Sequence, residues 1–272
     1  MLKQFILLLL LTFSTKATGY HLLAAMVNAQ NFEKDIYKAK LIASLEKEKD
    51  IIIYDIDYNN QVSIAVGEDN SIETRKEKSK DEYYLGITLY SFDGGKHWEK
   101  SLGGDIPMRR VIVLDGHKAI AIGSMEGAGG FVKMTNNAGE EWKIVYKGAF
   151  LNDITQHSNG FFAVGNGILY SKQGKQWHTV LEEKAYEFTA ILSVDKKRLI
   201  LASPHQLFYS QDNAMSWQKA KVPSAIEYAW LRYLYKDGKK LYTLPNDLTG
   251  FKLRSTDNGI IWQNVSTSKT NK

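Results

Sequence analysis

The sequence predicts an all-β repeat protein, and three observations carry that prediction. Five of the six tryptophans, at positions 98, 142, 177, 217 and 262, close the same short pattern, so it recurs about every 40 residues. A period of that size marks a modular array whose units cannot bury their apolar faces alone. Between the tryptophans, short apolar runs alternate as strands do and are separated by turn residues. Long helical periodicity is missing from the region.

Each unit reads as a four-stranded antiparallel meander. The first starts near Asp50, with Ile51 to Tyr58 as an innermost strand, and ends just after Trp98. The second uses Val111–Leu114, Ala119–Ile122, Phe131–Met134 and Trp142–Tyr146. Phe161–Val164, Ile168–Tyr170 and Trp177–Val180 belong to the third, and Leu199–Ala202, Leu207–Tyr209 and Trp217 to the fourth. The fifth runs from about Ser224 to Val265, with Trp230 to Tyr235 innermost. Asp115-Gly116 and Asp237-Gly238 supply turns between first and second strands.

The repeated pattern fits a hairpin between third and fourth strands. Ser91, Asp93, Gly95 and Trp98 form one full copy of S-x-D-x-G-x-x-W, and Ser255, Asp257, Gly259 and Trp262 form another. Ser210, Asp212 and Trp217 keep the pattern with Ala214 in the glycine position, and Thr135, Asn137, Gly139 and Trp142 replace its first two anchors. Ser171, Gly174 and Trp177 make a copy one residue shorter, without an aspartate. A short acidic side chain accepts hydrogen bonds from its own turn, and serine adds another. Glycine supplies the positive φ of a tight loop, and tryptophan brings a large ring to pack.

These residues resemble the Asp-box, or BNR repeat, of the sialidase-like β-propeller superfamily, over roughly residues 50 to 265. The resemblance implies a β-propeller of five four-stranded antiparallel blades in a non-catalytic member. A sixth, incomplete blade is the alternative, if Asn31–Lys34 opens it; Phe32 to Lys49 reads equally well as a short amphipathic helix. The resemblance also implies that the boxes are structural turns on the face opposite the ligand site. Calcium is disfavoured at them, because it takes six to eight oxygens from a dense loop and a box offers at most one aspartate carboxylate.

Residues 1-29 read as a signal peptide, with Lys3 before an apolar run too short to span a bilayer with ease. Cleavage after Ala17 and after Ala29 are both compatible, with Ala29 preferred. Residues 30-49 form a lead-in segment, 50-266 the propeller and 267-272 a polar tail. Export to the periplasm or medium of a bacterium fits the absence of cysteine. Loss of a 29-residue leader removes Lys3 and Lys16, lowering the net charge from +5 to +3. That mild excess, with no aromatic-basic motif, excludes nucleic acid as the expected partner.

Catalytic signatures are missing. There is no G-x-S-x-G elbow, P-loop or H-E-x-x-H. The arginine motif that precedes the first box in sialidases is absent; Pro107-Met-Arg109-Arg110 follows that box in another order. Tyr186-Glu187 and Glu227-Tyr228 are adjacent, and neighbours on a strand face opposite ways. His117, His157 and His205 are scattered and read as surface or turn residues, whereas His97 and His178 flank box tryptophans and are expected to pack there. No metal or cofactor is expected. Candidate binding residues are Arg75, Lys76 and Lys78 on a long charged loop between Gly67 and Gly86, then Arg109, and Tyr228, Trp230 and Arg232 near the centre. Long loops on rigid scaffolds carry function. The expected role is a non-catalytic protein-binding module, of assembly-factor or toxin-neutralising type. Its likeness to propeller assembly factors of the photosystem II kind is at fold level. A carbohydrate-binding or sialidase-like glycoside hydrolase is the alternative.

Overall fold

The computed structural model describes residues 41–42, 45, 51–69, 86–101, 106–125, 129–182, 187–224, 226, 230–245 and 252–265. Among the described residues twenty strands form five four-stranded sheets, each in simple sequential order. Blade one comprises β1 (Ile51–Tyr58), β2 (Ser63–Asp69), β3 (Gly86–Ser91) and β4 (Glu99–Lys100). Blade two comprises β5 (Arg110–Val113), β6 (Ala119–Met125), β7 (Gly129–Thr135) and β8 (Lys143–Gly148). Blade three follows with β9 (Leu151–His157), β10 (Gly160–Gly165), β11 (Gly167–Ser171) and β12 (His178–Leu181). Blade four holds β13 (Ala190–Ser193), β14 (Leu199–Ser203), β15 (Gln206–Ser210) and β16 (Gln218–Lys219). Blade five ends the array with β17 (Leu231–Asp237), β18 (Lys240–Pro245), β19 (Leu253–Ser255) and β20 (Gln263–Asn264). The leader read at 1-29 and the polar tail at 267-272 lie outside the described residues.

The box turns hold themselves by short-range hydrogen bonds. In the first, the Ser91 hydroxyl donates to Asp93 Oδ1 at 2.8 Å and accepts from Gly95 N at 2.8 Å. Asp93 Oδ1 accepts from Lys96 N and His97 N, each at 3.0 Å. Thr135 and Asn137 reproduce this set with near-isosteres, Thr135 Oγ1 donating to Asn137 Oδ1 at 2.8 Å. Two consecutive left-handed residues close four of the turns, at Gly94-Gly95, Ala138-Gly139, Asn213-Ala214 and Asn258-Gly259. His97 does not pack beside Trp98 as expected; its side chain is 89% exposed, with Nδ1 2.6 Å from Asp93 Oδ2. His178 is exposed as well, at the start of an outer strand whose first three residues are all exposed.

The chain divides into two compact units. Unit one contains blades one and two with the third box, Ser171–Trp177. Its core includes Ile64, Val66, Ala119, Ala121 and Phe131. The Gly139 and Gly174 positions of the second and third boxes press on Ile64 and Ile120, each the second residue of a blade's second strand. A Cβ at Gly174 would fall 2.3 Å from Ile120 Cδ1. Under the first box that place is taken by the lead-in: Leu41, Ile42 and Leu45 are helical and buried, and pack with Ile53, Ile56, Leu89 and Trp98. A Cβ at Gly95 would sit 2.2 Å from Leu41 Cδ2. The innermost strands are joined by carboxylates. Asp55 Oδ2 accepts from Val111 N at 3.0 Å and Asp57 Oδ2 from Val113 N at 2.9 Å.

Unit two holds Asp153–Tyr170 and the chain from His178. The same joint recurs there, with Asp153 Oδ2 accepting from Ile191 N at 2.9 Å. His157, expected at the surface, is buried because it ties two blades together: its ring nitrogens lie 2.8 Å from Ser193 Oγ and 3.1 Å from Asn213 Oδ1. Thr189 Oγ1 donates to Leu231 O at 2.6 Å, and Leu231 N donates to Pro204 O at 2.9 Å, fixing the start of β17. Trp262 is 2% exposed among Ile200, Leu207, Leu241 and Leu253. Gly259 meets Ile200 there as the earlier boxes meet Ile64 and Ile120.

Candidate functional site

Two groups of exposed or half-buried side chains stand on bulged innermost strands. In unit one the pairing of β1 with β2 shifts register between Ile53 and Asp55, which leaves Tyr54 on the bulge. A bulge re-aims a side chain out of the regular pleat. Tyr54 is thereby brought to Glu68 on β2, to whose carboxylate its hydroxyl donates a hydrogen bond. Arg109, fixed just ahead of β5 by its N–H to Ile122 O at 2.7 Å, carries its guanidinium 6.0 Å from the Tyr54 ring centroid. Arg110 turns back and donates to the Arg109 carbonyl at 3.1 Å. Burial pushes the Tyr54 hydroxyl well above its ordinary value, helped by the hydrogen bond and charge of Glu68, with Arg109 opposing. The phenol therefore stays protonated at neutral pH. The cluster presents a guanidinium and an aromatic edge held in place by a carboxylate.

In unit two the register of β17 with β18 shifts between Leu231 and Tyr233, placing Arg232 on the corresponding bulge. Trp230, one residue before the strand, is 48% exposed and stands edge-to-face against His205, with centroids 6.3 Å apart. Arg254 lies on β19, so β18 separates it from the strand of Arg232. Beside it, Tyr235 and Tyr242 stack at 5.1 Å and Lys252 Nζ lies 4.1 Å from the Tyr242 centroid. Burial lowers the Lys252 ammonium pKa and raises the Tyr235 hydroxyl pKa.

Of the candidate binding residues, Arg109 falls in the first group and Trp230 and Arg232 in the second. Arg75, Lys76, Lys78 and Tyr228 lie outside the described residues, as do Tyr186 and Glu227. Among the described residues no group of three histidines and carboxylates has the geometry to hold a metal ion, and no helix is long and apolar enough to cross a membrane. Sequence reasoning missed Tyr54 and Glu68. They are fourteen residues apart and meet through the β1–β2 pairing and its bulge, which no local pattern announces. His205 was missed as a support for Trp230 for the same reason.

No protein-family model matches the chain, and no curated protein matches it. Solved structures do. YCF48 from Cyanidioschyzon merolae is 17% identical with a TM-score of 0.53, covering 80% of this chain and 86% of that one. A structure described as YCF48 bound to D1 peptide is 18% identical with a TM-score of 0.56, covering 79% of this chain and 66% of that one. At these identities the likeness concerns the fold. The chain folds as a β-propeller of five four-stranded antiparallel blades.

Proposed function

We propose that this protein is a non-catalytic, protein-binding propeller of the assembly-factor kind, exported in a bacterium. The observation that carries the reading is Trp230, a half-exposed indole propped on His205 beside the bulged Arg232. Tryptophan and arginine are the side chains that dominate binding energy when a partner desolvates them. The Tyr54, Glu68 and Arg109 group adds a second oriented guanidinium. A solved propeller of the same fold, YCF48, has been seen with a D1 peptide, which supports a peptide or protein partner for this scaffold. We read the five turns as Asp-boxes, structural in role, and the charged loop carrying Arg75, Lys76 and Lys78 as an arm that adds contacts.

The test is capture from periplasmic extract by the full chain, compared with Trp230→Ala, Arg109→Ala and a variant in which a short linker replaces residues 70–85. Capture by the wild type that falls in Trp230→Ala supports the reading. Capture unchanged in all three variants sinks it. One observation favours the glycan-processing alternative: a tyrosine–glutamate pair beside an arginine, at Tyr54, Glu68 and Arg109. Its raised pKa argues against a ready phenoxide nucleophile. Cleavage of a fluorogenic sialoside that Tyr54→Phe abolishes would install that alternative instead.

A further inference from the structure

The strands of each blade run up and down in sequence order, so the turn between its first two strands and its box lie at the same end. At that end of unit two the turns are basic. Blade four has Asp195-Lys196-Lys197-Arg198 between β13 and β14, and blade five has Lys236-Asp237-Gly238-Lys239-Lys240 where β17 passes into β18. The corresponding residues of blades one, two and three are Asn59-Asn60-Gln61, Asp115-Gly116-His117-Lys118 and Ser158-Asn159. The lysine excess is therefore no property of the repeat and belongs to the last two blades.

The two turns are tied together and to the boxes. Lys236 Nζ donates to Val194 O at 2.9 Å, and Asn213 N in the fourth box donates to Lys197 O at 2.9 Å. Lys221 joins the group through the fifth box, its N–H donating to Ile260 O at 2.8 Å. Lys196, Lys197, Lys221, Lys239 and Lys240 are exposed, and none forms an ion pair with a described residue. Three carboxylates at this end are engaged by their own turns. Asp195 accepts from Lys197 N at 3.0 Å and pairs with Arg198. Asp212 accepts from Ser216 N and Asp257 from Ile261 N, each at 2.9 Å. Both boxes also carry an apolar tip, Met215 at 80% exposure and Ile261 at 44%.

We propose that this end of unit two docks on the anionic phospholipid headgroups of a membrane surface, with the lysines over phosphates and Met215 and Ile261 dipped between the lipids. The chemistry selects that occupant. Lysine ammoniums are point charges on flexible stems and suit a mobile layer of phosphates, whereas the planar fork of arginine suits a fixed carboxylate. Here the one arginine is already committed to Asp195. Surface binding of this kind adds buried apolar area to attraction for anionic lipids. A protein partner would ask for a contiguous apolar centre in the contact, and Met215 and Ile261 stand on separate turns. The Trp230 group lies at the other end of the blades, since Trp230 precedes β17 and His205 falls between β14 and β15. Docking by the lysine end leaves that group facing away from the lipid. The proposal goes beyond the protein-binding reading and does not rest on it.

The chain has no cysteine, so a single introduced one carries an environment-sensitive dye. It is placed by Met215→Cys or, as a control just past the far end of β12, by Glu182→Cys. The full chain is mixed with phosphatidylcholine vesicles with or without phosphatidylglycerol. The dye at 215 should brighten saturably with the anionic vesicles only, and the dye at 182 should stay dark. Lys239→Ala combined with Lys240→Ala should weaken binding about twenty-fold or more, at about five-fold for each lysine, while melting at the wild-type temperature. Rising salt should weaken it as well. A silent dye at 215 overturns the proposal. So does an equal response to neutral vesicles, or equal brightening at 182, the results expected if the apolar residues 5–13 alone hold the chain. Binding of poly-glutamate with a silent dye on vesicles overturns it in favour of an acidic protein. Vesicle binding without any captured partner upholds the proposal while the protein-binding reading fails; capture that depends on Trp230 with a silent dye does the reverse.

Discussion

The outer turns and the innermost strands of the blades both pair backbone N–H groups with short acidic side chains, but over very different ranges. Asp93 accepts from amides three and four residues ahead of it. Asp55 accepts from an amide 56 residues away and Asp153 from one 38 residues away, each in the next blade. The same carboxylate chemistry thus closes a hairpin at the rim and fastens blade to blade at the inner strands. The rim version is repeated and therefore visible as a motif. The inner version is the one that fixes how blades stack.

Removing a rim side chain that has become core should have the largest effect. Trp262→Ala is expected to cost about 3–5 kcal/mol, as truncation of a buried tryptophan does, measured by urea denaturation. Trp98→Ala should cost less, since Trp98 is only partly buried. Equal losses at the two positions would break the picture of unequal rim packing.

Next come the inner joints. Asp153→Ala and Asp55→Ala each strand a backbone amide and should cost about 1–3 kcal/mol. Hydrogen exchange should quicken at Ile191 in the first variant and at Val111 in the second. Exchange unchanged at both would mean that the carboxylates do not fasten the blades.

Acid should weaken the rim. The Asp93 carboxyl is held below its ordinary value of 3.8 by the backbone N–H of His97, then by the His97 ring and the Ser91 hydroxyl. A group whose pKa is depressed by folding contributes fully above its unfolded value and loses that contribution as pH falls towards the folded one. The melting temperature of the wild type should therefore fall more steeply between about pH 5 and about pH 2 than that of Asp93→Asn. Parallel slopes would remove Asp93 from the account.

The smallest effect separates two tryptophans. Trp142→Phe gives up a hydrogen bond to Gly139 O and should lose about 1 kcal/mol. Trp217→Phe gives up no hydrogen bond to any of the described residues and should leave the melting temperature where it was. A marked loss at Trp217 would reveal an acceptor for its indole.

Departures from the repeat also mark where the structure departs. The third box lacks an aspartate, and Ser171 Oγ is buried without a partner among the described residues. The fourth replaces glycine with alanine, and Trp217 Nε1 has none. Both sites are legible in the sequence as irregular copies, but their consequence is set by tertiary packing.

The sequence by itself determined the repeat, its four-stranded meander and the anatomy of each rim turn. Each of those features is made by residues within a few positions of one another, so spacing and side-chain type suffice. The tertiary structure alone decided that Tyr54 meets Glu68 and Arg109, that Trp230 leans on His205, and that the lead-in's Leu41 lies under Gly95 where later boxes find an isoleucine. It also decided that Trp217 faces no acceptor. These outcomes depend on strand register, on bulges at Tyr54 and Arg232, and on which faces are pressed together. Such long-range choices follow from packing across tens of residues, and no local pattern encodes them.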